Sequence, residues 1–318
     1  MAFSLPLITT AQPPNPPGPA GGHHGPPPKI SADAAKADPN SVIPVIIQYK
    51  HDPGWAQDSQ VNHLGGATKD TLHSIHAKTA LLPAGQLGTL ASDPNVAYVS
   101  LDRPVHPREA VSINAPDYTY QPINAPAAWS SGYVGTGIGV AVIDSGVTVV
   151  DDLQKTDNLT LPGVTGPAGP PAPLPPTPGA HGRVLYSATF APATKDGNDQ
   201  FGHGTHVAGL IAGNGKKSSG NQYSMTFYGI APNANIIDLR ALDANGQGTD
   251  SSVIAAIEQA IALKDKYNIR VINLSLGRPI WESYTQDPLC QAVEQAWKAG
   301  ITVVVAAGND GRDLAANP

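Results

Sequence analysis

Three short stretches hold side chains that could do chemistry together: "VAVIDSGV" (140–147), "GHGTHVAGLIAG" (202–213) and "VVVAAGNDG" (303–311). In the first, Asp144 follows four apolar residues and precedes Ser145-Gly146. A carboxylate there stands at the C-terminal end of a strand with a turn behind it. It can cap the strand or orient a reacting group. In the second, His203 lies between two glycines at the start of a helix, where the backbone can approach another chain or a substrate closely. His206 follows three residues on, but no third His, Cys or carboxylate has zinc-like spacing. His206 is therefore expected to pack within the helix, leaving His203 to act. In the third, Asn309 follows an apolar run through Gly308, and its amide can donate a hydrogen bond into a cleft. The glycines of "GTGIGVAVIDSG" (135–146) precede a strand, whereas a dinucleotide fingerprint must follow one, and their spacing does not match it.

Positioning such groups needs a rigid frame, and the pattern supplies one. Strands are predicted at 137–144, 234–242, 270–277 and 301–307. Helices are predicted at 202–213, at 250–268 with Asp250 or Ser251 as cap, and at 287–300 with Asp287 as cap, Pro288 in the first turn and Gly300 at the end. Strands alternating with helices of this length imply an α/β fold with a doubly wound parallel sheet. Functional groups in such sheets gather at the C-terminal ends of the strands. The run 301–307 is apolar enough to be expected inside the sheet, covered on both faces. The proline-rich stretch 162–179 cannot pair in a sheet and is read as a surface insertion.

Ahead of this frame, residues 42–105 read as strand (42–50), helix (52–66), extended stretch (71–83), short helix (83–94) and strand (95–105), a small α+β module. Modules of that size are marginal alone and often need a partner surface. Residues 11–40 are a Pro/Gly-rich linker, and His23 and His24 within it are incidental. The start, "MAFSLPLITTAQ", reads equally as a signal remnant without its basic residues or as an unstructured end. The division expected is 1–40 signal remnant and linker, 41–107 small module, and 108–318 large domain.

Composition narrows the function. The 318 residues are 41% apolar and 14% charged, unlike a highly charged disordered chain. The net charge of −6 gives no nucleic-acid footprint. No run of about 18 apolar residues offers a membrane span. Cys290 is the one cysteine, so no disulfide forms within the chain.

Taken in order, the three motifs resemble those of the subtilisin-like serine proteases, the subtilases. The resemblance covers nearly everything after residue 41. It implies that Asp144 orients the histidine, His203 is the general base and Asn309 an oxyanion donor. "NLSLG" (273–277) resembles the segment that lines the primary specificity pocket, giving Ser275, Leu276 and Gly277 as substrate-binding residues; Ala306, Ala307 and Gly308 match its other wall. "ANGQG" (244–248), with Gly246 and Gly248, resembles the second rim that holds extended substrate. The module at 41–107 resembles the subtilase propeptide, an intramolecular inhibitor and folding aid. Secretion and polypeptide substrates follow from the same resemblance. The chemistry is coherent: a serine hydroxyl needs a base to take its proton, and the base needs a carboxylate to fix its tautomer.

Two departures stand out. The family's nucleophile follows the asparagine in a Gly-Thr-Ser-Met-type motif, yet no serine follows Asn309. Ser224-Met225 is only an echo, in a polar loop between histidine and asparagine. The expectation is a fragment that ends before its catalytic serine, with an incomplete sheet that exposes an apolar edge, poor solubility and no activity of its own; a pseudoprotease or binding module is the alternative. A nucleotide-binding domain is remote, because no phosphate-binding glycine loop follows a strand. Secondly, subtilases often bind calcium through an Asp soon after the catalytic one, and Asp151 or Asp152 stands near that place. The loop "NGKKSSGNQYSMT" (214–226) puts two lysines there, so no metal or cofactor is expected.

Overall fold

The computed structural model describes residues 29–107, 120, 122–154, 161 and 182–308. Asn309, the insertion at 162–179, residues 1–28 with His23 and His24, and the stretch 108–119 lie outside them.

The N-terminal unit is a four-stranded antiparallel sheet in the order β2-β3-β1-β4, made of β1 (Val42–Tyr49), β2 (Ala67–Leu72), β3 (Ala77–Pro83) and β4 (Val96–Leu101). Helices α1 (Trp55–His63) and α2 (Leu87–Ala91) complete it. Its own core gathers Val45, Ile47, Val61, Leu82, Leu90 and Val99. Two expectations need correction. Residues 71–83 are not one extended stretch: β2 and β3 form a hairpin around a 3-10 turn at His73–Ile75, where His76 takes a left-handed conformation. The unit also begins upstream of 41. Ile30 bridges to Val99, Ser31 N–H donates to the Val99 carbonyl at 2.9 Å, and Ala34 is buried in the core. The apolar residues at 30, 34 and 37 give this stretch a face to bury, which the proline tract before it lacks.

The predicted strand 95–105 divides. After β4, Asp102-Arg103 turn away and β5 (Pro104–Pro107) leaves the N-terminal sheet. It pairs antiparallel with β9 (Gly248–Thr249) on one side and β11 (Leu276–Gly277) on the other.

The larger unit carries α3 (Ala125–Ser130), β6 (Gly139–Asp144), β7 (Val184–Thr189), α4 (His203–Ala212), β8 (Asn235–Arg240), α5 (Asp250–Ala262), α6 (Lys264–Tyr267), β10 (Ile269–Leu274), α7 (Pro288–Lys298) and β12 (Thr302–Val305). Strands β12-β10-β6-β8-β7 form one parallel sheet, the α/β doubly wound arrangement expected. Strand β6 is buried along its whole length because both faces are covered. Val140 and Val142 pack with Val207, Ala208 and Ala212 of α4, whereas Ala141 and Ile143 join the cluster of α5 and α7. From β6 the chain builds β8 and β7 to one side and β10 and β12 to the other. The C-terminal end of β6 is thus a topological switch point, where α/β sheets open a crevice. Strand β12, whose apolar run suggested cover on both faces, stands where an incomplete sheet was expected to expose an apolar edge. Among the described residues it is the sheet edge, with Val304 50% and Val305 59% exposed.

The two units share one apolar cluster: Ile46, Leu72, Ile75, Ala77 and Val105 with Val253, Ile257, Ala292 and Ala296. Polar bonds frame it. Asp102 accepts from Ser251 N–H at 2.9 Å and from Ser251 Oγ at 2.7 Å. The in-helix cap of α5 is Thr249, whose Oγ1 accepts from Ser252 N–H, rather than Asp250 or Ser251. The backbone of Ser74 donates to Glu258 at 2.6 Å.

Candidate active site

The end of β6 and the start of α4 meet at the switch point. His203 Nδ1 lies 2.7 Å from Asp144 Oδ1, with Asp144 fully buried and the His203 side chain 15% exposed. The same carboxylate oxygen accepts from Ser145 N–H at 2.7 Å. A carboxylate there makes Nδ1–H the donor and directs acid–base chemistry to Nε2. Such close approach needs glycine: a Cβ at Gly204 would overlap the Gly146 carbonyl oxygen and lie 3.1 Å from Asp144 Cβ. Gly146, at φ +108°, turns the chain back under α4.

Asp199 is a positioning residue that sequence reading missed. Its carboxylate accepts from Ser145 Oγ at 2.9 Å, Phe201 N–H at 3.1 Å, Gly202 N–H at 2.7 Å, Thr205 N–H at 2.8 Å and Thr205 Oγ1 at 2.6 Å. Ser145 Oγ in turn accepts from Gly204 N–H at 2.9 Å. This web ties the turn after β6 to the first turn of α4. Burial alone would raise the Asp199 carboxyl; the bonds from Thr205, Gly202 and Ser145 outweigh it and hold the group below the ordinary carboxylate range. Asp199 stands three residues before the N-cap Gly202, and four of its five donors lie within the next six residues, so the contact is local in sequence. Arg240 steadies the same loop by donating to the Asn198 carbonyl at 2.6 Å.

His206 is exposed rather than packed, since Val207 and Ala208 turn inward and put it on the outer side of α4. Leu276 and Gly277 stand on one side of β5, and Gly248 on the other. Gly246 lies outside the residues paired with β5; at φ +72° its bare Cα faces the Phe201 ring, where a Cβ would come within 2.8 Å. Ser275 Oγ accepts from Asn273 Nδ2 at 2.9 Å just before β11. Ala306, Ala307 and Gly308 follow β12, with Ala306 N–H donating to the Leu274 carbonyl at 3.1 Å and both alanines exposed. Ser224 is exposed in the loop after α4. Asp151 faces Lys217 at 3.4 Å and Lys216 at 4.0 Å. Lysines beside the carboxylate oppose a cation there, and among the described residues no group of three or more His, Cys, Asp or Glu side chains gathers.

Residues 135–317 match the subtilase family. The chain belongs to that family. Among its relatives, subtilisin E of Bacillus subtilis (strain 168) is 33% identical over 252 residues, covering 79% of this chain and 54% of the relative. The serine protease AprX of the same organism is 33% identical over 184 residues, 56% of this chain and 34% of its own. The extracellular serine proteinase of Thermus sp. (strain Rt41A) is 30% identical over 296 residues, 90% of this chain and 58% of its own. The chain spans about half the length of the subtilisins it matches. Among the described residues, no helix of this subtilase is long and apolar enough to cross a membrane.

Proposed function

We propose that this subtilase is the amino-terminal part of a secreted serine-type endopeptidase precursor. Asp144 orients His203 and stabilises its imidazolium; His203 takes the proton of a serine contributed by sequence after Pro318 and returns it to the leaving amine; Asn309 donates to the oxyanion. Ser275, Leu276 and Gly277 with Gly248 bind extended polypeptide by strand addition, and Ala306, Ala307 and Gly308 form the opposite wall of the specificity pocket. The carrying observation is the 2.7 Å contact between His203 Nδ1 and Asp144, in a chain whose β5 lies as an extended strand between β9 and β11.

That strand is the chain's own. Segment β5 lies between β9 and β11 as a substrate would, and Val105 is buried. Residues 29–107 act as an intramolecular inhibitor anchored on α5 and α7, and the junction to be cut falls between 107 and 120. The relatives named extracellular, the Thermus proteinase and the minor extracellular protease Epr of Bacillus subtilis, support secretion.

The test is self-processing. Protein translated past codon 318 is expected to cut itself between residues 107 and 120, and His203→Ala to leave it intact. Processing that continues in His203→Ala overturns the assignment. A stop codon at 319 favours the second reading, a pseudoprotease whose groove only binds, because no serine follows Asn309 in these 318 residues.

A further inference from the structure

This inference rests on the reading that β5 lies where an extended substrate would. Arg103 immediately precedes β5, and its side chain is 3% exposed. Glu282 takes both terminal nitrogens: Nη1 donates to Oε1 and Nη2 to Oε2, each at 2.6 Å. The Trp281 ring centroid lies 6.0 Å from the guanidinium carbon, within cation–π range. From the other side Asp33 accepts from Nε at 2.8 Å and from Nη2 at 3.1 Å.

The two halves of this nest come from different units. Asp33 and Arg103 belong to the N-terminal unit, Glu282 and Trp281 to the loop that follows β11. The other cation of that loop, Arg278, is committed elsewhere, to Asp250 at 2.7 Å and Asp287 at 2.8 Å. When the N-terminal unit leaves, Asp33 and Arg103 go with it. Glu282, whose side chain is 4% exposed in the docked state, is left facing the groove without its cation. A carboxylate beside an indole face suits a guanidinium better than an ammonium, because the planar fork bonds both oxygens and stacks on the ring.

We infer that Glu282 and Trp281 form an arginine-binding subsite of the peptide groove. It takes the side chain two residues N-terminal to the one that fills the place of Val105. Arg103 is its first occupant, so the contact that seats the inhibitor also reports what the groove selects in a substrate.

Two measurements test this. In the 318-residue chain, Arg103→Ala empties the nest while Val105 stays anchored. Ethylguanidinium is expected to raise the melting temperature of this variant by several degrees more than ethylammonium at equal ionic strength. Glu282→Gln in the same background removes that difference, and Asp33→Asn leaves most of it. If Arg103→Ala does not fold alone, the yield refolded with and without ethylguanidinium is read instead. No preference for the guanidinium, or one that survives Glu282→Gln and vanishes with Asp33→Asn, overturns the inference and makes the cluster a latch only. The second measurement uses the peptidase translated past codon 318. It compares kcat/KM for peptides that carry arginine or citrulline two residues before a valine placed as Val105 is. Arginine is expected to be favoured about tenfold or more, and Glu282→Gln to abolish most of the gap. Equal cleavage of both peptides overturns the subsite alone. Cleavage of neither overturns the peptidase reading on which it stands.

Discussion

Replacing Asp199 by alanine should loosen the histidine's mount without touching the Asp144–His203 contact. The substitution removes the acceptor of five hydrogen bonds, three from backbone N–H groups and two from the hydroxyls of Ser145 and Thr205. Bonds to a charged acceptor contribute roughly 1.5–3 kcal/mol each, but Asp199 is half-buried and water can reach several of the donors. A net loss of about 3 kcal/mol is expected. At this chain size that corresponds to a fall in melting temperature of roughly 4–5 °C. Asp199→Asn keeps one acceptor oxygen and should lose about half as much. The pH dependence follows from the depressed carboxyl. Its stabilisation is fully present above the ordinary carboxylate range, about pH 4, and is lost as pH falls through the lower folded value. The gap between the parent and Asp199→Ala should therefore be full at pH 7 and shrink below about pH 4. Melting curves across pH and the Nδ1–H resonance of His203 report the two consequences. A shift under about 1 °C at pH 7, with that resonance unchanged, would refute the positioning role.

Other expectations follow from single contacts. Asp102→Ala removes the carboxylate that meets Ser251 at the start of α5 and should cost about 1 kcal/mol in docking of the two units, read by urea denaturation. Val105→Asp puts a charge into a fully buried apolar position; amide hydrogen exchange at residues 105 and 106 should rise sharply while exchange in β1 and β3 stays slow. Asp33, which burial pushes up but Arg103 and the Ala34 N–H hold down to about 2, contributes stability above about pH 4 that is lost as pH falls toward 2. Asp33→Asn should flatten that acid limb of the melting profile. Asn309→Ala in the active peptidase should lower turnover by roughly 10²–10³, the magnitude found for this type of donor in a subtilisin.

What the sequence made legible was what leaves a periodic or positional mark. Four apolar residues before Asp144 announce a strand covered on both faces, and Asp287-Pro288 with Gly300 bracket α7 at both ends. The motif pair Asp144 and His203 could be read because their neighbours are glycines with steric reasons to be there. Two-residue strands leave no such mark: β11 was merged into the predicted strand 270–277, β9 was read only as a substrate rim, and the departure of β5 from the N-terminal sheet went unread. Strand β7 went unread because Tyr186, Ser187 and Thr189 interrupt its apolar run behind the proline tract. Asp199 bonds mostly to the loop and helix start that follow it, a local pattern that went unread, whereas only the fold brings Glu282 to Arg103. The apolar run of β12 suits a strand covered on both faces, yet among the described residues it has a paired neighbour on one side alone.

The central claim is that Asp144 and His203 serve a serine nucleophile. The most direct measurement is stoichiometric labelling by a fluorophosphonate of the protein translated past codon 318, after removal of residues 29–107. One label per chain on a serine C-terminal to residue 318 is expected, with the rate lowered by about 10³-fold or more in His203→Ala and in Asp144→Ala. Labelling at an undiminished rate in His203→Ala, or peptide hydrolysis by protein that takes no label, would contradict the account.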